Sequence, residues 1–157
     1  MARVSPKNPR YRSKEEICRD VAFVISCETL HIGTRLAVVD QVFWVWTEFD
    51  GKYDGCKYWS KKAKALPKGE AKGNLVHEHL VPRKVVRQKL LRCKSANDVR
   101  TVLETWCIGV VVTREEDQLL NSLRLGSAMP HDWDGIDPWA RYTKAGIRLA
   151  QDEASAC

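Results

Sequence analysis

The sequence predicts a mostly helical α+β protein with an N-terminal helical hairpin and a small two-stranded sheet, and three observations carry that prediction. The 157 residues are 44% hydrophobic and 29% charged, which suits one domain, or one domain plus a small extension, with a proper core. Three capping signals, Ser13-x-x-Glu16, Ser95-x-x-Asp98 and Thr113-x-x-Glu116, each precede an apolar stripe at helical spacing. Two short apolar runs, Leu75–Val81 and Ile108–Val112, read instead as strands.

In chain order, Ile17, Val21, Val24 and Ile25 form the apolar face of a first helix behind Ser13. Gly33 breaks the pattern, and His31 before it reads as a helix C-cap. A second helix presents Val39, Val42, Phe43 and Trp46, with Trp44 and Trp46 serving packing. Between Asp50 and Gly73 seven lysines are interleaved with Tyr53, Tyr58 and Trp59. A short helix is expected around Cys56–Leu66, and Pro67, Gly69 and Gly73 mark a loop. Lysines with aromatics suit contact with nucleic-acid backbone and bases; an exposed linker anchored by a few aromatics explains them equally well.

The strand Leu75–Val81 comes next, and Pro82 opens a helix over Arg83–Arg92 with Val86, Leu90 and Cys93 on one stripe. A further helix from Ser95 places Val99, Val102, Leu103 and Trp106 on one face. The strand Ile108–Val112 follows, and then a helix from Thr113 with Leu119, Leu120 and Leu123 as its apolar side. After Met129-Pro130 an irregular segment wraps the domain, with a short helix near Pro138–Ala145. The expected organisation is a helical extension with a basic loop over 1–73, a domain over 74–147 and a frayed tail over 148–157.

The longest apolar runs fall far short of the roughly 18–20 residues a membrane span needs. Met1–Tyr11 is basic with no apolar stretch after it, which does not read as a signal peptide. None of the six cysteines has C-x-x-C spacing; Cys18 and Cys93 fall on apolar helix faces and Cys107 opens an apolar strand, so they read as small buried hydrophobes in a reducing cell. The cytoplasm is the expected compartment. The net charge of +6 is segregated: Lys52–Lys94 holds thirteen basic residues against Asp54, Glu70 and Glu78. A basic face of this kind suits a polyanion partner, although a solvated surface produces the same clustering.

The chemistry concentrates in Leu75-Val-His-Glu-His-Leu-Val-Pro82. Three titratable residues stand between apolar neighbours at a strand end, where burial without partners is costly. Side chains alternate, so His77 and His79 share one face and Glu78 takes the other, unless twist or a bulge lets Glu78 and His79 converge. A His–Glu pair that only braces the fold is the plain alternative. The following helix adds Arg83, Lys84, Arg87, Lys89, Arg92 and Lys94 with no acid among them. Such a helix suits holding a phosphate backbone.

Glu78-His79-Leu80-Val81-Pro82 resembles the first motif of the HNH, or ββα-metal, nucleases, in which an acid or His, then His, an aliphatic pair and Pro end the first strand. The resemblance spans roughly Asn74–Leu123 and continues loosely through Trp133-Asp134-Gly135 to Tyr142; residues 1–73 have no counterpart. It implies a two-stranded ββα-metal core with a helical insertion. It also implies His79 as general base on a water, and Glu78 and Asp117 as ligands of a divalent metal, with Asn121 one turn beyond Asp117. Two carboxylates favour Mg²⁺ or Mn²⁺ over Zn²⁺. An imidazole with a pKa near the operating pH suits the base.

Two departures from the family pattern stand out. About 26 residues separate the strands, with Asn97 the only Asn between them, and Asp117 replaces the usual His or Asn. His131 and Asp132 are substitute ligands by proximity in sequence alone.

The function the resemblance implies is a metal-dependent endonuclease on DNA rather than RNA, contacting nucleic acid through Arg83, Lys84, Arg87 and Lys89. The rival is a catalytically inactive nucleic-acid- or protein-binding module on a degenerate HNH scaffold, as in phage or mobile-element defence and counter-defence. An RNA-cutting toxin or a protein-binding inhibitor is a third possibility. The N-terminal extension would then be a surface for a protein partner or a second copy.

Overall fold

The computed structural model describes residues 12–48, 53, 55–67 and 69–150. The basic run before Arg12, Asp54, Cys157 and the last seven residues of the expected frayed tail lie outside them, as do 49–52 and Lys68 of the lysine-rich stretch.

Two helices open the described chain, α1 (Lys14–Ser26) and α2 (Ile32–Thr47). Then come β1 (Tyr58–Trp59), α3 (Lys61–Ala65), β2 (Leu75–His79), α4 (Arg83–Leu90) and α5 (Ala96–Trp106). The order closes with β3 (Gly109–Thr113), α6 (Arg114–Ser122) and α7 (Ala140–Ala145). The protein is a mostly helical α+β fold. Among the described residues no helix is long and apolar enough to cross a membrane.

Both capping boxes read in the sequence form, and the Ser95 helix start is a third. Ser13, Ser95 and Thr113 each accept the backbone N–H three residues on, while Glu16, Asp98 and Glu116 return the bond to the cap. The first helix ends earlier than the glycine suggested. α1 stops at Ser26, and Gly33 lies in the first turn of α2, its N–H donating to His31 Nδ1 at 3.1 Å. His31 is therefore an N-cap, not a C-cap, because its side chain satisfies a donor that the new helix leaves open.

The sheet has three strands rather than two, in the order β1-β3-β2. β2 pairs antiparallel with β3, and β1 pairs parallel to it with Tyr58 opposite Val110 and Trp59 opposite Val111. Two residues carry no periodicity, which hides β1 from a pattern reading. β3 lies between its neighbours, and Val110, Val111 and Val112 are fully buried, as a strand covered on both faces requires. β2 is regular only to His79; Leu80 and Val81 turn into the core, with Leu80 N–H still bonded to Ile108 O at 2.8 Å.

One apolar cluster joins Val21 of α1 and Phe43 of α2 to Leu90, Leu103, Val112, Leu120 and Tyr142. The hairpin thus packs on the same core as the sheet. A smaller cluster of Cys56, Ala63 and Val111 lies under Tyr53, Trp59 and Leu75.

Candidate functional site

The register of β2 sorts the His-Glu-His run. His77 pairs with Val111 and His79 with Gly109, on one face, while Glu78 pairs with Val110 and faces the other way. Gly109 is required here: a methyl on it would stand 2.6 Å from His77 Nε2 and 3.1 Å from Thr47 Cβ. α2 lays Trp44 over both rings, with centroids 4.7 Å from His79 and 6.4 Å from His77, and Phe43 meets His79 edge-on at 6.4 Å. His79 Nε2 is buried with no hydrogen-bond partner among the described residues. Burial first, then the charges of His77, Arg83 and Arg141, push the His79 imidazole down to about 3. Its pKa therefore lies well below the operating pH rather than near it, because an apolar wall and cationic neighbours both disfavour the imidazolium.

Glu78 faces α7. Arg141 Nη2 donates to Oε1 at 2.7 Å and Tyr142 OH to Oε2 at 2.8 Å. Burial raises the Glu78 carboxyl above its ordinary range, the largest influence on it, while Arg141 opposes. Arg141 is fully buried and also donates to the carbonyls of Leu80 (2.9 Å), Leu125, Gly126 and His79. It thereby ties the end of β2 to the turn after α6.

A cleft of about 280 Å³ opens where β2 ends. Glu78 and His79 line it together with Arg83, Lys84 and Arg87 of α4, Asp40 of α2, and Gly126. Arg83 lies over Trp44 at 5.6 Å, and Arg87 Nη1 meets Asp40 Oδ2 at 3.1 Å. Five of the seven sequence-predicted site residues thus converge. Lys89 does not: its ammonium lies 3.9 Å from the Trp106 ring and 5.9 Å from that of Trp133. α4 turns it away because residues 83, 84 and 87 share a face that 89 does not.

Asp117 lies on α6 behind Glu78, does not line the cleft, and its charge acts on the Glu78 carboxyl. Asn121 Nδ2 donates to Asp117 O at 3.0 Å, and its Oδ1 occupies the space a Gly126 methyl would fill. Asn97 is exposed in the first turn of α5. His131 and Asp132 are exposed as well, with Asp132 paired to Lys144 at 3.5 Å. Among the described residues no three His, Cys, Asp or Glu side chains form a ligand group.

Sequence reasoning missed Asp40, Trp44 and Arg141 as site residues. A signal for the first two existed: Asp40 is the single acid of α2, four residues before Trp44 and so on its face. Comparison with family models, with curated proteins and with solved structures yields no match for this chain.

Proposed function

We propose that the chain is a divalent-metal-dependent endonuclease hydrolysing phosphodiester bonds in DNA, with His79 as general base. The observation that carries this reading is the cleft at the end of β2, which the His79 side chain borders together with three cations of α4. Arg83, Lys84 and Arg87 attract the backbone without regard to sequence and fix its position. Trp44 and Phe43 hold the His79 ring in place and exclude water from its faces. The neutral ring takes the proton of a water attacking phosphorus. A bound phosphate opposes the cationic neighbours of His79 and so strengthens it as a base.

Glu78, Asp117 and Asn121 are the oxygen donors that would hold Mg²⁺ or Mn²⁺, ions that retain waters and need only one or two carboxylates. Their hard-oxygen chemistry supports that assignment, as does the nearness of Asp117, whose charge acts on the Glu78 carboxyl. When bound, the ion neutralises charge developing on the scissile phosphate and leaving oxygen. A second reading is favoured by one observation: both oxygens of Glu78 already accept bonds from α7. On that reading the scaffold binds nucleic acid without cutting it.

Plasmid nicking in Mg²⁺ tests the proposal. His79→Ala is expected to lower the nicking rate by about 10²–10⁴-fold with the fold and DNA affinity nearly unchanged. Full activity in that variant removes His79 from the mechanism. Binding without nicking by the unaltered protein replaces the first reading with the second.

A further inference from the structure

A second concavity, of about 630 Å³, is lined by residues of both β1 and the start of β2. Tyr53 and Trp59 form its aromatic walls, Ala63 and Leu75 its floor, and Lys57 and Lys64 its rim. No carboxylate is among the described residues that line it. Lys64 Nζ stands 5.1 Å from the Trp59 ring, so a cation borders the indole face. Trp59 is held by its own N–H, which donates to Cys56 O at 3.1 Å, and Tyr53 by a hydroxyl bonded to Leu75 O at 3.3 Å. Both rings are thus fixed before any ligand arrives, and an ordered stacking surface loses little entropy on binding.

The cross-strand row Trp59–Val111–His77 places this concavity on the sheet face that carries His77 and His79. Only β3 separates the two flanking strands, a span of about 10 Å across the sheet.

We infer that the pocket walled by Trp59 and Tyr53 and rimmed by Lys57 and Lys64 is a seat for single-stranded nucleic acid, stacking an unpaired base and holding its phosphates. The inference rests on the nucleic-acid part of the proposed function and not on cleavage. Every base has a π-face, so a fixed indole accepts any of them, and the adjoining ammonium groups follow the backbone. A paired base, enclosed in its stack, does not reach the indole.

The test measures fluorescence anisotropy in EDTA with labelled oligo(dT) and oligo(U) of ~8 nucleotides, within the range one such surface holds, and with a blunt duplex hairpin. Trp59→Leu is expected to weaken oligonucleotide binding about tenfold, the scale of one lost base stack, while duplex binding stays within about twofold. The double variant Lys57→Glu/Lys64→Glu, at two exposed positions, is expected to do the same and to reduce the salt dependence. It keeps the test decisive if Trp59→Leu fails to fold. Loss with either oligonucleotide supports the seat, and the tighter of the two names the sugar. Unchanged oligonucleotide affinity in the folded variants, or an equal loss for the duplex, overturns it. Absence of nicking by the unaltered protein would sink the proposed reaction and leave this seat standing.

Discussion

At the scale of single residues the cleft is a study in what burial does to charge. The fold opposes protonation of His79, whose pKa falls from an ordinary 6.5 to about 3. The unfolded chain takes up a proton below 6.5 and the folded chain does not, so this residue's contribution is complete above pH 6.5. It is lost progressively as pH falls toward 3. Thermal melting followed from pH 7.5 to 3.5 is expected to decline across that window. His79→Leu, which has nothing to protonate, is expected to flatten the decline; an unchanged slope would place the acid sensitivity elsewhere. Glu78 shows the opposite solution, a carboxylate satisfied by a buried guanidinium and a phenol rather than left to ionise alone.

At the scale of elements, caps and short polar chains decide where helices begin. Ser60 Oγ donates to Glu116 Oε2 at 2.5 Å and accepts Ala63 N–H at 3.0 Å, while Glu116 Oε2 also takes Thr113 N–H at 2.9 Å. One carboxylate therefore caps α6 and ties α3 and β1 to it. Glu116→Ala is expected to cost about 2–3 kcal/mol, because it leaves buried donors unpaired. Ser95→Ala, at an exposed cap, is expected to cost about 1 kcal/mol. Urea titrations of the two variants check the ranking, and equal losses would contradict it.

These boxes were legible in the sequence because capping is local: Ser-x-x-Glu needs only four residues to act. The five helices with an apolar stripe were legible for the same reason, as were the short lysine-rich helix α3 and the run that ends at Pro82. β1 was not, since a two-residue strand exists only through β3. Nor were the contacts made by α2 around the cleft: Asp40 reaches Arg87 and Trp44 reaches His79 across more than thirty residues of chain, a closure that no local pattern encodes. Lys89 was misplaced because counting cations along α4 ignores which face each one takes.

At the scale of the whole molecule, Arg141 joins parts that sequence keeps far apart. It bonds to Glu78 and to the carbonyls of Leu80, Leu125 and Gly126 from a helix six residues long. Arg141→Met is expected to cost about 3–5 kcal/mol, the scale for stranding one partner of a buried pair. That is a large share of the 5–15 kcal/mol that holds a domain together. Adding Glu78→Gln to that variant is expected to restore part of the loss, since an amide without charge tolerates the site better. A double variant no more stable than Arg141→Met would show that the carbonyl bonds, not the ion pair, dominate. Calorimetry of the three proteins separates the two contributions.

The outer margin of the sheet is barely a strand at all. β1 offers two residues, and the next, Ser60, is already taken in a bridge to Leu149 near the end of the described chain. A stray polypeptide seeking a ladder to extend finds there neither length nor vacancy. The same brevity that hid β1 from inspection thus blunts one of the two edges that flank a β-branched, fully dry middle strand.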